Sequence, residues 1–249
     1  MEQRDALDCS RRDFLRIAGT STMLLATSPL AFAAGAPSGA PVKISTIGSG
    51  PIGSTLGTLW VQAGHPVMFS SRKPQELKAL VDGLGSRARA GTVEEAVAFA
   101  DVVLLAVPYR AMPQIGKDFG KALATKTLVL DATNPIVARD GEIATWAREK
   151  GAGLASAELL PGARIVRAFN AIGYARLPEA GRRQGERTGM PMAGDDAKAI
   201  ALASSLVREI GFEPVVIGPL AMGRHLIPGT PLAGEHTPEQ IRQIVATLK

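Results

Sequence analysis

Residues 48–53 read Gly-Ser-Gly-Pro-Ile-Gly, and what flanks them constrains the chain more than any other feature. An apolar run over 42–47, with strand character, comes directly before them. Directly after, Ile52, Leu56, Leu59, Trp60 and Ala63 recur at helical spacing. Glycines between a strand and a helix suit a tight turn over an anion. Gly48 permits the turn, Gly50 lets the backbone approach a pyrophosphate, and Gly53 allows close helix–strand packing. Pro51 falls in the first helical turn, where its missing donor costs nothing. The amides and positive dipole end at the helix start receive the anion.

The alternation continues along the chain. Helices are expected at 51–63, 75–84, 93–100, 111–123, 142–149 and 196–210. Strands are expected at 67–70, 101–107, 127–131, 164–168, 190–193 and 214–217. The run Asp-Val-Val-Leu-Leu-Ala-Val at 101–107 has the continuous apolar character of a strand buried on both faces. Asp195 is expected to cap the helix over 196–210. Thr237, Pro238 and Gln240 open a last helix with a capping box. The pattern predicts an α/β fold: a Rossmann-like, mostly parallel sheet with helices on both faces. Residues 42–171 form the dinucleotide-binding unit in this reading, and 172–249 a small C-terminal α/β annex.

Ligands in such sheets bind at the carboxyl ends of the strands, where three further motifs fall. The second strand ends in Ser70-Ser71-Arg72-Lys73. A carboxylate at this place would hold a ribose 2′-hydroxyl and repel a 2′-phosphate. Two hydroxyls, a guanidinium and an ammonium neutralise the phosphate and donate to it. The expected cofactor is therefore NADP(H). Val107 and Pro108 follow the strand at 101–107 and are placed to pack on a nicotinamide ring. Thr133 or Asn134, in Asp131-Ala132-Thr133-Asn134-Pro135, can hydrogen-bond its carboxamide or ribose; Asn170 is a third candidate.

Acid–base candidates are poor. His65 sits in a turn where packing explains it, and His225 and His236 lie in a Pro/Gly-rich tail without metal-ligand spacing. No catalytic side chain is assigned. Hydride exchange between two planar carriers needs proximity and stacking more than a proton donor.

The N-terminus has a separate purpose in this reading. Ser10-Arg11-Arg12-Asp13-Phe14-Leu15-Arg16 precedes an uncharged stretch and Ala31-Phe32-Ala33, the order of a twin-arginine signal peptide over 1–33. Polar residues and Pro29 interrupt the apolar run, which argues against a stable membrane span. The protein is expected outside the cytoplasm, in the periplasm or beyond, with a flexible spacer over 34–41. Its single cysteine, Cys9, falls within the signal, leaving no thiol chemistry for the remainder. A net charge of +5 spread along 249 residues, with 4% aromatics, offers no nucleic-acid platform.

Taken together, Gly48 to Gly53, Ala63-Gly64-His65, Ser70-Ser71-Arg72, Ala106-Val107-Pro108, Thr133-Asn134-Pro135, Ala168-Phe169-Asn170, Ala193-Gly194-Asp195-Asp196 and Gly218-Pro219-Leu220 resemble the coenzyme F-420-dependent NADP oxidoreductase family. The resemblance implies an NADP site at Ser49, Gly50, Pro51, Ile52, Ser71, Arg72, Val107 and Asn134, with Ala171 an additional candidate. It implies hydride transfer between NADPH and a small redox carrier, a deazaflavin (coenzyme F-420) or a flavin, stacked on the nicotinamide of the NADP-binding unit over 42–171 in a cleft that the annex over 172–249 closes. A homodimer is allowed. Two alternatives are a non-catalytic NADP-binding or regulatory protein and a reductase of imine or hydroxyacid type.

Overall fold

The computed structural model describes residues 40–248. The expected signal peptide over 1–33 and most of the spacer over 34–41 lie outside the described residues.

The element order is β1 Ile44–Ile47, α1 Pro51–Gln62, β2 Val67–Ser70, α2 Lys78–Leu84, β3 Ala88–Gly91, α3 Val93–Phe99, β4 Val102–Leu105, α4 Met112–Leu123, β5 Leu128–Asp131, α5 Val137–Asp140, α6 Glu142–Lys150, α7 Ala152–Leu159, β6 Ile165–Arg167, α8 Leu177–Ala180, β7 Gly189–Gly194, α9 Ala197–Glu209, β8 Glu213–Gly218 and α10 Pro238–Thr247. The strands form one sheet in the order β3-β2-β1-β4-β5-β6-β7-β8. The first six are parallel, β7 runs antiparallel to β6, and β8 is parallel to β7. This is the expected Rossmann-like α/β fold. Residues 172–249, expected as an annex, add β7 and β8 to the same sheet and place α9 beside it.

β1, β4 and β5 are buried along their whole length, as apolar strands covered on both faces must be. Trp60, Phe69, Phe169 and Phe212 fill one core layer with Leu56, Leu104, Leu130 and Leu206. Val103, Leu105, Met112, Leu123, Val129 and Leu160 fill the other. The Trp60 indole donates to the carbonyl of Leu206 at 3.1 Å, tying α1 to α9 across the first layer.

The capping box at Thr237 and Gln240 forms as expected, with bonds of 2.8 and 3.2 Å. The cap of α9 is shifted by one residue. Asp196, not Asp195, accepts from the Ala199 amide at 2.8 Å. Asp195 instead accepts from the Leu220 amide at 2.9 Å, anchoring the turn after β8. Four elements were not anticipated: β3, α7 and the four-residue helices α5 and α8. β3 is a short edge strand of sequence Ala-Arg-Ala-Gly. α7 packs through glycine and alanine rather than an apolar stripe: a Cβ on Gly153 would lie 2.0 Å from the Leu220 carbonyl oxygen. None of the described helices is long and apolar enough to cross a membrane.

Candidate dinucleotide-binding site

The turn between β1 and α1 has the geometry its glycines require. Gly48 has φ +92°, a conformation costly for residues with a Cβ, and a Cβ there would lie 2.7 Å from the Ala106 carbonyl oxygen and the Val107 side chain. A Cβ on Gly53 would stand 1.9 Å from the Gly48 carbonyl oxygen, so helix and turn are in direct backbone contact. Gly50 is different: a Cβ there would meet nothing within 4 Å. The surface over Gly50 is therefore open, at the start of a helix with no side-chain cap and no acidic residue in its first turn. That cradle fits an anion at the helix start. The Ser49 hydroxyl is tied to Thr46 at 2.9 Å.

At the end of β2 the four expected residues divide. Ser70 departs from its expected role. Its side chain is fully buried and its hydroxyl donates to the Thr46 carbonyl at 2.7 Å, so its hydrogen is turned inward to the sheet. The Ser71 hydroxyl accepts from the Lys73 amide at 3.1 Å and shapes the turn. Arg72 and Lys73 are exposed, and Ser71, Arg72, Lys73 and Glu76 line one shallow depression. Glu76, unforeseen from sequence, pairs with Lys73 at 3.0 Å. Both groups are well solvated, so the pair holds Lys73 only weakly.

The carboxyl ends of β4, β5 and β6 bring the remaining candidates together. Val107 and Pro108 are half-buried, Val107 with its side chain against Gly48. Behind them lies a buried polar network that the sequence reading missed. Asp131 is fully buried and its carboxylate accepts four bonds. One oxygen takes the Thr133 amide at 2.9 Å and the Thr133 hydroxyl at 2.6 Å. The other takes the Ser156 hydroxyl at 2.7 Å and the Arg167 guanidinium at 2.6 Å. Arg167 is also fully buried and donates to the carbonyls of Thr133 at 2.9 Å and Leu226 at 3.1 Å. Tyr109 closes the network, 3.4 Å from the Ser156 hydroxyl. Burial, partly offset by that hydroxyl, pushes the Tyr109 phenol up to about 12. A carboxylate saturated in this way holds the loop after β5 in one conformation.

Thr133 therefore has its amide and hydroxyl committed to Asp131, and of the expected candidates Asn134 and Asn170 carry the unused polar atoms. The Asn134 side-chain amide donates to the Asn170 carbonyl at 3.2 Å, and that of Asn170 donates to the Thr133 carbonyl at 2.9 Å. Their Oδ1 atoms are buried without a hydrogen-bond partner among the described residues. A buried acceptor left unpaired costs about 1–3 kcal/mol. Phe169, which precedes Asn170, has φ +65° and is the one non-glycine residue with positive φ among those described. Edge-on contacts with Trp60, at 6.0 Å, and Phe212, at 6.3 Å, hold it there. The strained backbone at Phe169, held by packing, thus adjoins Asn170, one of the two residues with an unpaired acceptor. Ala171 follows, its carbonyl accepting from the Gly234 amide at 2.9 Å.

No histidine side chain hydrogen-bonds into this network among the described residues. His65 is buried, pairs with Glu209, and accepts from the Val42 amide at 3.1 Å, at the opposite end of β1. Burial, and to a lesser degree Arg224, lowers the His225 imidazole below its usual range. No cluster of metal-binding side chains exists among the described residues.

Residues 43–135 match the family described as NADP oxidoreductase, coenzyme F420-dependent. Over 184 residues, 74% of this chain, the sequence is 33% identical to the metalloreductase STEAP3 of Rattus norvegicus, and it spans about a third of that protein, 35% of its length. The fold is shared with the hypothetical protein SMa0349 from Sinorhizobium meliloti, at 28% identity and TM-score 0.65, over 80% of this chain and 96% of that one. It is also shared with an Arthrobacter sp. FB24 protein assigned as an F420-dependent NADP reductase, at 20% identity and TM-score 0.63, over 74% of this chain and 87% of that one. Residues 43–135 thus carry the sequence pattern of NADP oxidoreductases on a Rossmann-like sheet.

Proposed function

We propose that the protein is an NADPH-dependent oxidoreductase that exchanges hydride between NADPH and a small planar redox carrier, a deazaflavin of the coenzyme F-420 type or a flavin. The observation that carries this reading is the pairing of an open phosphate cradle at Gly50 with an end of β2 that presents Arg72 and Lys73 rather than a carboxylate. Gly48, Ser49, Gly50, Pro51, Ile52 and Gly53 hold the pyrophosphate. Ser71, Arg72 and Lys73 hold the 2′-phosphate. Val107, Pro108, Asn134, Asn170 and Ala171 line the nicotinamide end. When bound, the dihydronicotinamide supplies the hydride.

The chain's own residues contribute position rather than proton transfer. Asp131 and Arg167 fix the two loops that carry Asn134 and Asn170. Tyr109 is fully buried and its phenol is pushed up to about 12, so it stays protonated and serves as a support. Ile136, Val137 and Tyr174 are large apolar residues exposed by 39%, 49% and 49% in the segments following β5 and β6, at the same end of the sheet. They offer a flat apolar carrier a surface beside the nicotinamide end. Stopped-flow mixing of NADPH-loaded protein with a deazaflavin or a flavin should show nicotinamide oxidation coupled to reduction of the carrier. Nucleotide binding with no transfer to either class would leave the protein a non-catalytic NADP binder.

The reading includes export by the twin-arginine route, supported by Arg11-Arg12 and the small-residue cleavage pattern at Ala31-Phe32-Ala33. Replacing Arg11 and Arg12 with lysine should retain the uncleaved chain in the cytoplasm. Undiminished extracytoplasmic yield would overturn this part of the reading.

A further inference from the structure

We infer that Asn134 and Asn170 form a paired acceptor that reads the –NH2 group of the nicotinamide carboxamide, which makes the site selective for an amide over a ketone at that ring position. This rests on the NADP reading above and adds the chemistry by which the reactive ring is recognised.

The orientation of each side-chain amide is fixed by its own bonds. Asn134 Nδ2 lies 3.2 Å from the Asn170 carbonyl oxygen, and Asn170 Nδ2 lies 2.9 Å from the Thr133 carbonyl oxygen. Turning either amide over would set two oxygens against each other. Both Oδ1 atoms are therefore the ends left over, and both are buried without a partner among the described residues. Asn170 is 4% exposed, so its oxygen has little access to bulk water. What completes the pair must donate hydrogens. A primary amide carries two N–H donors on one nitrogen, one for each oxygen.

The surrounding structure keeps the pair in place. Thr133, which supplies the carbonyl for Asn170, is held by Asp131 through its amide and hydroxyl. The same carbonyl takes a second bond from Arg167. Asn170 follows Phe169, whose left-handed backbone is clamped between Trp60 and Phe212. Acceptors held in this way keep their orientation before a ligand arrives. Both fall at the carboxyl ends of adjacent strands, β5 and β6, on the nicotinamide side of the Gly48 turn.

The test compares NADP+ with 3-acetylpyridine adenine dinucleotide phosphate, which keeps the ring, both riboses and all phosphates but replaces the carboxamide –NH2 with a methyl group. Adenosine 2′,5′-bisphosphate, which lacks the nicotinamide half, reports on the remainder of the site. Dissociation constants are measured by titration calorimetry for wild type, Asn134→Ala and Asn170→Ala. Wild type should prefer NADP+ over the acetyl analogue by about tenfold or more, the worth of one to two hydrogen bonds. Each substitution should weaken NADP+ by about three- to tenfold while moving the analogue less than about twofold. Adenosine 2′,5′-bisphosphate should bind all three proteins equally, which also shows that each variant is folded. Equal losses for NADP+ and the analogue would mean that the oxygens meet ribose hydroxyls, and would overturn the inference. So would a wild type that does not distinguish the two. If adenosine 2′,5′-bisphosphate fails to bind wild type, the NADP reading itself has failed.

Discussion

Arg167 and Asp131 face each other in register on β6 and β5, both fully buried, with guanidinium and carboxylate 2.6 Å apart. Removing one partner strands a charge where water cannot reach it. Arg167→Met should therefore destabilise the protein by about 3–5 kcal/mol. It should also loosen the segment around Leu226, whose carbonyl loses its donor. Arg167→Met combined with Asp131→Leu removes both charges, and recovers part of that loss if the pair rather than the packing is responsible. Urea denaturation of the two variants beside wild type checks this; a double variant no more stable than the single would assign the loss to packing.

Two glycines three residues apart should respond in opposite ways. Gly50 has φ −71° and ψ −168°, at the edge of the extended region that residues with a Cβ adopt, and its Cβ would project into open space. Gly50→Val should leave thermal stability nearly unchanged and abolish dinucleotide binding. Gly53→Ala forces a methyl group to 1.9 Å from the Gly48 carbonyl oxygen. It should cost about 1–3 kcal/mol, seen as a Tm lower by several degrees. Thermal melts and nucleotide titrations on both variants separate the roles; survival of binding in Gly50→Val would displace the pyrophosphate from this turn.

The Tyr109 phenol gives the fold an alkaline sensitivity. Burial raises it from 10.0 to about 12. In the unfolded chain the phenol ionises first, so the stability tied to keeping it neutral is complete below pH 10 and disappears as pH rises toward 12. Tyr109→Phe removes the titrating group and surrenders only a 3.4 Å contact with Ser156. The stability difference between wild type and Tyr109→Phe should therefore be constant below pH 10 and swing in favour of the variant above it. Parallel pH profiles in chemical denaturation would show that the phenol does not titrate with unfolding.

The β1–α1 turn was legible in the sequence because its requirements are local: a positive φ at Gly48 and no room for a Cβ at Gly53. The alternation of apolar strands and helices likewise carried the fold. What escaped depends on neighbours that sequence spacing does not supply. Ser70 sits among four residues that read equally well with either face inward, so its burial was not apparent. α7 has no apolar stripe because glycine and alanine do its packing. The Asp131–Arg167 pair left a signal, a charge closing each of two apolar runs. Its meaning needed the adjacency of β5 and β6 and their register.

The prediction that most directly tests the choice of cofactor concerns Arg72. It is exposed in the depression it shares with Ser71, Lys73 and Glu76, where Glu76 already pairs with Lys73 at 3.0 Å. Arg72 is thus the cation of this turn without a carboxylate partner among the described residues. A guanidinium donates to a phosphate through paired N–H groups, and losing such charge-assisted bonds lowers affinity by about tenfold to a hundredfold. Arg72→Ala should weaken NADPH binding to that extent. NADH lacks the 2′-phosphate, so its affinity should fall much less, through lost stacking alone. The NADPH penalty should shrink as salt rises, because the site is solvated and its charges are screened. Glu76→Gln releases Lys73 and should tighten NADPH a few-fold at low salt, without effect on NADH. Fluorescence titrations of both nucleotides at low and high salt measure all of these. Equal losses of NADPH and NADH in Arg72→Ala would remove the arginine from phosphate recognition, and a wild type preferring NADH would overturn the NADP assignment at its source.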